Sequence, residues 1–315
     1  MLLFRHHVLL CMSLSGLLIC ACSRKSDWIV LDSAHSAIAS DLIRQVELVD
    51  DTLRFVGTYG AGLYEQVGDS WQKVGEHLGV KYILAIRRDA RGDMWVGSAR
   101  GGLLHRSRNG WRRYTAEDGL ASNTVWDVLF LGNDTLLLGL RYGGAWRLTD
   151  DSLSRLSYEQ GLPDHQVTAL ARDSSGVIWI GTVRGGMVGL RDTSKMYVNK
   201  RNGLSGNYIR CIVCDSTPRW VGSWDGGLDR RVEDVWVHQS EIPAPVVYAA
   251  YDANRNLWVG TWGAGVFYRS EGTWRHISPQ NSGLPDGHVL DIEFAQDGRN
   301  YFATNKGVAV WKRGK

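Results

Sequence analysis

The sequence predicts an all-β fold, a seven-bladed β-propeller, and two observations carry this prediction: an internal repeat and a match between the chain ends. A short apolar run that ends in glycine or alanine recurs seven times in the 315 residues. The glycine or alanine positions of neighbouring copies are 40, 42, 42, 41, 38 and 43 residues apart. A repeat of this length built from short strands indicates one small sheet per unit, because such a sheet buries its faces only by stacking on its neighbours. The copies are Phe55-Val56-Gly57-Thr58, Trp95-Val96-Gly97-Ser98, Leu137-Leu138-Gly139-Leu140, Trp179-Ile180-Gly181-Thr182, Trp220-Val221-Gly222-Ser223, Trp258-Val259-Gly260-Thr261 and Tyr301-Phe302-Ala303-Thr304.

Each unit divides into four strand signals, which we name A to D from the innermost strand outwards. In one unit these short apolar runs, each bounded by turn residues, are Thr124 to Leu131, Thr135 to Leu140, Ala145 to Leu148 and Leu153 to Ser157. Asp, Gly and Asn residues predict hairpin turns between A and B. Paired glycines predict the turns between B and C, and Gly-Leu leads from D to the next A strand.

The two chain ends predict how the ring closes. Tyr301 to Trp311 supplies strands B and C of the seventh unit, and no D-strand signal follows before Lys315. Asp27 to Leu31 matches the tryptophan-bearing D strands and stands ahead of the first A strand. We therefore expect the N-terminal strand to be the fourth strand of the last blade (3+1 closure), which leaves no open sheet edge at the junction. The propeller domain is then residues 27–315.

The repeat resembles that of a known family. Val167 to Met187 is similar to the two-component regulator propeller repeat, with Asp, Gly, Trp-Ile-Gly-Thr and Gly-Gly at the family's spacing. In that family the repeats form periplasmic sensor regions of membrane histidine kinases, often for oligosaccharides, and they also occur in free-standing lipid-anchored proteins. The resemblance covers residues 27–315 and specifies fold far more than function. Three units depart from it: Leu140 replaces Thr or Ser, Glu241 to Pro245 replaces Gly-Leu, and the seventh B-C turn has a single glycine.

The start of the chain is expected to be a targeting signal. Residues 5–7 are basic, and Val8 to Ile19 is apolar but shorter than the roughly 20 residues of a spanning helix. Ile19-Cys20-Ala21-Cys22 resembles a bacterial lipobox. We interpret residues 1–21 as a lipoprotein signal peptide; an ordinary secretory signal cleaved nearby is the alternative.

Lipidation of Cys22 would anchor the protein in the cell envelope. Each methylene that is buried in the membrane contributes about 0.8 kcal/mol to the free energy of membrane binding, so two or three acyl chains give a stable anchor. Residues 22–26 would form the lipidated tether. Ser23-Arg24 lacks the aspartate associated with inner-membrane retention, which favours the periplasmic face of the bacterial outer membrane.

Charge and motifs exclude several classes of function. The chain has 36 basic and 33 acidic residues, and removing residues 1–21 removes one Arg, which leaves a net charge of +2. This balance gives no support for nucleic-acid binding. No cofactor or metal motif is present, so no cofactor is expected. We expect a monomer that holds a small ligand, with a membrane protein as a further partner because no kinase or receiver segment is present.

One rim of the ring is the predicted binding surface, because the B-C turns and D-A connections lie on the same side of every blade. Aromatic faces stack on sugar rings, and arginines recognise carboxylates or phosphates. Capping of the core by the aromatics, with solvated arginines, is the alternative interpretation. The predicted ligand-binding residues of the B-C turns are Tyr59, Arg100, Arg141, Tyr142, Arg184, Trp224, Asp225, Trp262 and Lys306, with Asn305 beside them. The D-A connections add Asp41, Asn123, His165, Asn207 and His288.

Tryptophans fall into two groups. Those that recur with the repeat are predicted to pack between blades. Trp224 and Trp262 lie outside that register and are the better candidates for ligand contacts. The recurring tryptophans of the B strands are Trp95, Trp179, Trp220 and Trp258.

Three functions remain open from the sequence. The first is a ligand-binding or sensory propeller for a glycan fragment or other small ligand. The second is a protein-interaction scaffold at the outer membrane. The third is a polysaccharide lyase or a streptogramin-type lyase, which this repeat distantly resembles. His165 or His288 would then be the catalytic base, with Arg141 or Arg184 neutralising charge.

Overall fold

The computed structural model describes residues 19–20, 27–132, 134–156 and 161–312. The predicted lipidation site Cys22, the predicted tether and most of the predicted signal peptide lie outside these ranges. The described residues form seven sheets arranged as a β-propeller, so the predicted fold class is confirmed.

Blades 1 to 4 each consist of four antiparallel strands in the order A-B-C-D. Blade 1 comprises Ile43–Val49, Thr52–Thr58, Leu63–Val67 and Ser70–Val74. Blade 2 comprises Ile83–Arg88, Met94–Ser98, Leu103–Ser107 and Gly110–Tyr114. Blade 3 comprises Val125–Gly132, Thr135–Leu140, Ala145–Thr149 and Ser152–Leu156. Blade 4 comprises Val167–Arg172, Ile178–Thr182, Met187–Arg191 and Ser194–Val198.

Blades 5 to 7 continue the ring. Blade 5 comprises Ile209–Cys214, Pro218–Ser223, Gly227–Val232 and Val235–His238. Blade 6 comprises Val246–Tyr251, Leu257–Thr261, Val266–Ser270 and Thr273–Ile277, with the two-residue strand Ile19–Cys20 lying parallel to the last of these. Blade 7 comprises Val289–Phe294, Arg299–Thr304, Gly307–Lys312 and Trp28–Leu31. Short 3-10 helices occupy three D-A connections at Glu76–Leu78, Ala116–Asp118 and Lys200–Asn202.

Blade 7 contains strands from both ends of the chain. Trp28–Leu31 pairs antiparallel with Gly307–Lys312. The Trp28 ring stacks on Trp311 with centroids 5.6 Å apart and planes 7° from parallel. The innermost strands contact their neighbours all around the ring, including blade 7 to blade 1.

The core is divided among the blade interfaces, with one hydrophobic cluster between each adjacent pair of blades. The glycine of the repeat is required at these interfaces. A Cβ added to Gly57 would lie 2.6 Å from Ile83, and one added to Gly181 would lie 2.7 Å from Ile209. The next blade therefore seats its first A-strand residue against this glycine, which explains why the repeat keeps it.

Two further repeat positions have a local structural reason. The Asp173 carboxylate accepts hydrogen bonds from the Ser175 and Val177 backbone and from the Trp179 indole N–H at 2.9 Å. Burial alone would raise the pKa of Asp173, but these hydrogen bonds lower it below its ordinary value. At the B-C turn the Thr182 hydroxyl donates to the Gly186 carbonyl at 2.8 Å. The Asp and Thr of the repeat are therefore turn residues.

Candidate functional site

The innermost strand of every blade carries a β-bulge at its second residue. In blade 1, Ile43 and Gln45 pair with the adjacent residues Thr58 and Gly57, which leaves Arg44 as the extra residue. A bulge bends the strand and re-aims the extra side chain. The same register shift occurs in the other six blades. The seven bulge residues all line cavities of the central channel: Arg44, Leu84, Trp126, Thr168, Arg210, Val247 and Leu290.

A cavity of about 710 Å³ opens at the rim formed by the B-C turns and D-A connections. We call it the mouth cavity. Three of its lining residues are arginines, five are aromatic, and none is Asp or Glu. It is therefore a positively charged site with extensive aromatic surface. The lining residues are Leu42, Arg44, Tyr59, Leu84, Ala99, Thr124, Trp126, Arg141, Tyr208, Arg210, Trp224, Trp262 and Asn305.

One side of the mouth cavity is a run of aromatic rings, which we call the aromatic wall: Tyr208, Trp224 and Trp262. Ring centroids are 6.2 Å apart between Tyr208 and Trp224 and 5.3 Å apart between Trp224 and Trp262. The His288 ring meets Trp262 edge-on at 4.6 Å. Trp224 and Trp262 are each 37% exposed, whereas Trp220 of the preceding B strand is 3% exposed. The wall is therefore available to a ligand.

Two arginines from different blades converge at the base of the mouth cavity. Arg44 comes from blade 1 and Arg210 from blade 5, and both also line the deeper channel. Burial, and then the positive charge of Arg210, lower the pKa of Arg44 to about 10. The Nε atoms of both are buried and have no hydrogen-bond partner among the described residues. We call these two residues the arginine pair.

The channel continues below the arginine pair as a cavity of about 250 Å³. Here a third arginine, Arg87, is paired: its guanidinium lies 3.1 Å from the Asp127 carboxylate and donates to Gln45 Oε1 at 3.2 Å. Asp127 also accepts from the Leu170 backbone N–H of the next blade at 2.9 Å. The charges at this depth are therefore neutralised within the protein.

Carboxyl groups also collect on the innermost strands of blades 1 and 7. Asp291 lies at the strand position of Asp127, and Glu47 and Glu293 lie two residues further towards the A-B turns. We call Glu47, Asp291 and Glu293 the acidic end. Burial raises the pKa of Glu47 to about 7. Burial also raises the pKa of Asp291, although the Val46 N–H donates to it at 2.9 Å. Burial, followed by repulsion from Asp291 and Glu47, raises the pKa of Glu293.

The mouth cavity brings together four of the predicted ligand-binding residues. Tyr59, Arg141, Trp224 and Trp262 line it, and so does Asn305. They come from four B-C turns and the seventh blade's turn, as expected if the rim loops converge. Their predicted contact with a ligand stays a prediction.

Other predicted residues lie on the same rim without lining the mouth cavity. The Asp225 carboxylate accepts from the backbone N–H groups of Asn207 and Tyr208 at 3.1 and 2.9 Å, so it holds the D-A connection in place. Tyr142 is 49% exposed, with its ring centroid 6.5 Å from that of His165.

Backbone groups fix the remaining B-C turns. The Arg100 N–H donates to Thr124 Oγ1 at 3.2 Å, and the Arg184 N–H donates to Asp164 Oδ2 at 3.0 Å. The Lys306 N–H donates to the Thr304 hydroxyl at 3.1 Å. Three predicted cationic residues are therefore placed by turn geometry around, not within, the cavity.

Sequence reasoning missed the bulge residues and Tyr208. Arg44, Trp126 and Arg210 were not singled out because they sit inside strand signals, where alternation hides a bulge. A signal exists: each directly follows the buried first residue of an A strand, Ile43, Val125 or Ile209.

Elsewhere in the described part of the chain, neither a metal site nor a reactive thiol is found. Within the described ranges, no cluster of three or more His, Cys, Asp or Glu could hold a metal ion. Cys211 and Cys214 are free, and burial raises the pKa of both to about 12. Both thiols are therefore poor nucleophiles at neutral pH.

The fold and the mouth cavity define a β-propeller whose turns converge on one concave, cationic and aromatic surface. A family model described as two component regulator propeller matches residues 161–184, which confirms the resemblance predicted from Val167 to Met187. No curated protein matches the chain. Among the described helices, none has the length and apolar character needed to cross a membrane.

Solved structures share the fold at low sequence identity. The extracellular domain of a protein described as a hybrid two component system, BT3049 of B. thetaiotaomicron, superposes with a TM-score of 0.76 at 18% identity over 91% of this chain and 41% of its own. The corresponding domain of BT4673 from the same organism, described as a one component system, gives 0.75 at 17% over 93% and 40%. This chain thus spans about two fifths of the length of these two.

A lyase shares the fold as well. Virginiamycin B lyase from Staphylococcus aureus gives a TM-score of 0.71 at 13% identity over 91% of this chain and 99% of the lyase. At such identities the similarity shows the fold alone.

Proposed function

We propose that this protein is a ligand-binding propeller of the bacterial cell envelope that captures a small ligand, a glycan fragment, in the mouth cavity. The observation that carries the proposal is the aromatic wall, where two tryptophans are each 37% exposed within one concave site. Large exposed aromatic groups that converge in a cavity are typical of ligand sites rather than of a solvated rim.

The dimensions and chemistry of the mouth cavity support a sugar. Its volume of about 710 Å³ falls in the range of roughly 300 to 1,000 Å³ of small-molecule sites. Trp224 and Trp262 offer tilted ring faces for stacking. Tyr59, Thr124 and Asn305 supply hydroxyl and amide groups that can hydrogen-bond to sugar hydroxyls.

The kinds of protein that share the fold support a sensory role. The two B. thetaiotaomicron structures are extracellular domains of signalling systems. We propose that the ligand-loaded propeller is recognised by a membrane protein partner, which would relay the signal. The lipobox at Ile19-Cys20-Ala21-Cys22 supports an envelope location with Cys22 as the anchor.

Anchoring is tested separately from ligand binding. Cells that express the full chain are labelled with radioactive palmitate and fractionated. We expect label in the protein and recovery with outer membranes, both lost in Cys22→Ala. Equal labelling of the natural protein and of Cys22→Ala would refute the lipid anchor at Cys22 and would leave the ligand proposal untouched.

Ligand binding is tested by thermal shift of the full chain, purified in mild detergent, against neutral and acidic oligosaccharides. A ligand at about 100 times its Kd adds roughly 2.7 kcal/mol to the folded state. The shift should disappear in Trp224→Ala and persist in Tyr197→Ala, which removes an aromatic ring of similar exposure on blade 4. A flat response to the whole panel would overturn the proposal, and a protein retained from outer membranes would then favour the scaffold function.

A lyase is the second candidate, because His288 carries the geometry of a base. Its Nδ1 lies 2.7 Å from Asp286 Oδ1, and its ring contacts the aromatic wall at Trp262. A carboxylate partner orients a histidine for proton abstraction. Any oligosaccharide that binds should then be followed for unsaturated products, with loss of turnover in His288→Ala but retained binding. No product from a bound ligand would exclude this function.

A further inference from the structure

We propose that the arginine pair, Arg44 and Arg210, is an oxyanion-binding site, so that the ligand of the mouth cavity carries a carboxylate, sulfate or phosphate group. This inference rests on the proposed function, which it extends from a ring-bearing ligand to an acidic one. The bulges in blades 1 and 5 direct both guanidinium groups into one channel.

The lining of the mouth cavity supplies no counter-charge for the arginine pair. None of the residues that line the mouth cavity is acidic, and Arg141 adds a third positive charge there. The nearest channel carboxylates have other partners: Asp127 faces Arg87 at 3.1 Å, and Asp291 accepts the Val46 N–H at 2.9 Å. The charge of Asp291 partly offsets the lowering of the Arg44 pKa, but no carboxylate among the described residues forms a salt bridge with either arginine of the pair.

The proximity of the two guanidinium groups is energetically unfavourable without an anion. Like charges brought together in a partly buried site repel, and the lowered pKa of Arg44 reflects both burial and Arg210. A buried arginine donor without an acceptor is also unfavourable. An oxyanion between the two groups would relieve the repulsion and accept hydrogen bonds from both.

An orphaned Nε atom alone would not distinguish this pair. Arg230, Arg269 and Arg275 also have a buried Nε without a partner among the described residues. These three lie on outer strands of blades 5 and 6. Their guanidinium groups stand over aromatic rings at 5.3, 5.9 and 5.9 Å, and that of Arg210 stands over Tyr208 at 5.8 Å, so a ring contact does not separate the two groups either. What sets Arg44 and Arg210 apart is convergence from two blades on an open cavity with no acidic lining. Arg230 is therefore a matched control.

The arrangement also gives the ligand an orientation. The aromatic wall lies at the rim, and the arginine pair extends below it into the deeper channel, because both arginines line the upper and lower cavities. A ligand would stack its rings on Trp224 and Trp262 and direct its anionic group down the channel. This fits an acidic sugar or a ring-bearing organic acid.

The first experiment tests the oxyanion site with inorganic sulfate, independently of any sugar. Melting temperatures of the full chain, Arg44→Gln, Arg210→Gln and Arg230→Gln are measured in sulfate and in chloride at equal ionic strength. In chloride, Arg210→Gln should be at least as stable as the natural chain, because repulsion is removed. In sulfate the order of melting temperatures should reverse. The sulfate-dependent rise in melting temperature should be smaller in Arg44→Gln and Arg210→Gln than in Arg230→Gln. An equal rise in all four proteins would overturn the inference.

The second experiment separates this inference from the proposed function. Trigalacturonic acid and its fully methyl-esterified form differ in charge but share their rings, and binding of both is measured by isothermal titration calorimetry. We expect the acid to bind at least 10-fold more tightly than the ester, and Arg44→Gln or Arg210→Gln to weaken the acid alone by roughly 10- to 100-fold. Equal affinities for acid and ester would refute the oxyanion site and support the proposed function. Binding of neither, together with no sulfate-specific effect, would overturn both.

Discussion

The two ends of the central channel are built from the same strands and have opposite chemistry. At the mouth, Arg44 and Arg210 face aromatic rings, and no acidic residue lines the cavity. At the acidic end, burial raises the pKa of Glu47 and Glu293, so these groups reduce their charge by holding protons near neutral pH. Arg87 of blade 2 occupies the same strand position as Glu47 and Glu293 and is paired with Asp127.

This difference in charge between the two ends of the channel indicates where a ligand binds. A buried charge is tolerated when a partner or a proton neutralises it. The acidic end and the middle of the channel achieve this within the protein. A guanidinium does not release its proton at physiological pH, and the arginine pair forms no salt bridge among the described residues, so we expect an anion from outside to complete its neutralisation. A groove between blades 1 and 2 supports the same logic, since Arg54 and Arg106 there both contact Glu65, at 2.9 and 2.7 Å.

Charge reversal at the mouth should have the largest effect. Arg44→Glu places a carboxylate against Arg210, so the mouth becomes internally neutralised like the middle of the channel. We expect the affinity for trigalacturonic acid to fall by more than about 100-fold, because attraction becomes repulsion, while the melting temperature in chloride rises. Calorimetry and thermal unfolding measure the two quantities. Arg230→Glu is the control, and equal loss of affinity there would contradict the assignment.

Loss of one ring of the aromatic wall should have the second-largest effect. Trp224→Ala is expected to raise the Kd of a ring-bearing ligand by roughly 10- to 100-fold through lost burial and stacking. Because Trp224 is 37% exposed, stability should change little. Trp220→Ala, at 3% exposure, should instead lower the free energy of unfolding by about 3–5 kcal/mol. A large stability loss in Trp224→Ala would show that its ring serves the core.

The acidic end predicts how stability depends on pH. The pKa of Glu47, about 7, and the raised pKa of Glu293 exceed the ordinary glutamate value, so the folded state holds more protons than the unfolded chain above about pH 4. The contribution of these two groups to stability is therefore retained at low pH and is lost as pH rises through 7. Glu293→Gln should raise stability at pH 8 by on the order of 1–2 kcal/mol and flatten the profile.

Denaturant unfolding from pH 5 to pH 8.5 measures that profile. The exposed Glu117→Gln, in the 3-10 helix Ala116–Asp118, provides the control and should leave the slope unchanged. A natural chain that gains stability between pH 5 and 8.5 would mean that Glu47 and Glu293 are ionised without cost.

The smallest effect is expected at the edge of the mouth. Arg141 is exposed and its guanidinium lies 5.4 Å from the Tyr142 ring, so water and salt screen it more than the arginine pair. Arg141→Gln should weaken binding of an acidic ligand by only about 2- to 5-fold at low salt. Titrations at low and high ionic strength measure this, and a loss as large as that of Arg210→Gln would place the anion at the rim.

Much of the rim could be predicted from the repeat, because turn residues are recognisable by type. Tyr59, Trp224 and Trp262 were placed in a common ring by their position after each B strand, and they do line one cavity. Arg44 and Arg210 could not be selected in the same way. A bulge is a property of strand pairing, and an arginine within an A strand looks like any solvent-facing alternate residue.

The architecture is encoded locally in the repeat. Blade number, strand order and turn chemistry are local properties that recur about every 41 residues over residues 27–315, and local hydrogen bonds such as that from Trp179 to Asp173 enforce them. The candidate site, in contrast, forms only in the tertiary structure. Arg44 and Arg210 are four units apart in sequence, and their charges meet only when the ring brings the innermost strands together. Whether each charge is neutralised depends on neighbours from other blades, which no single repeat contains.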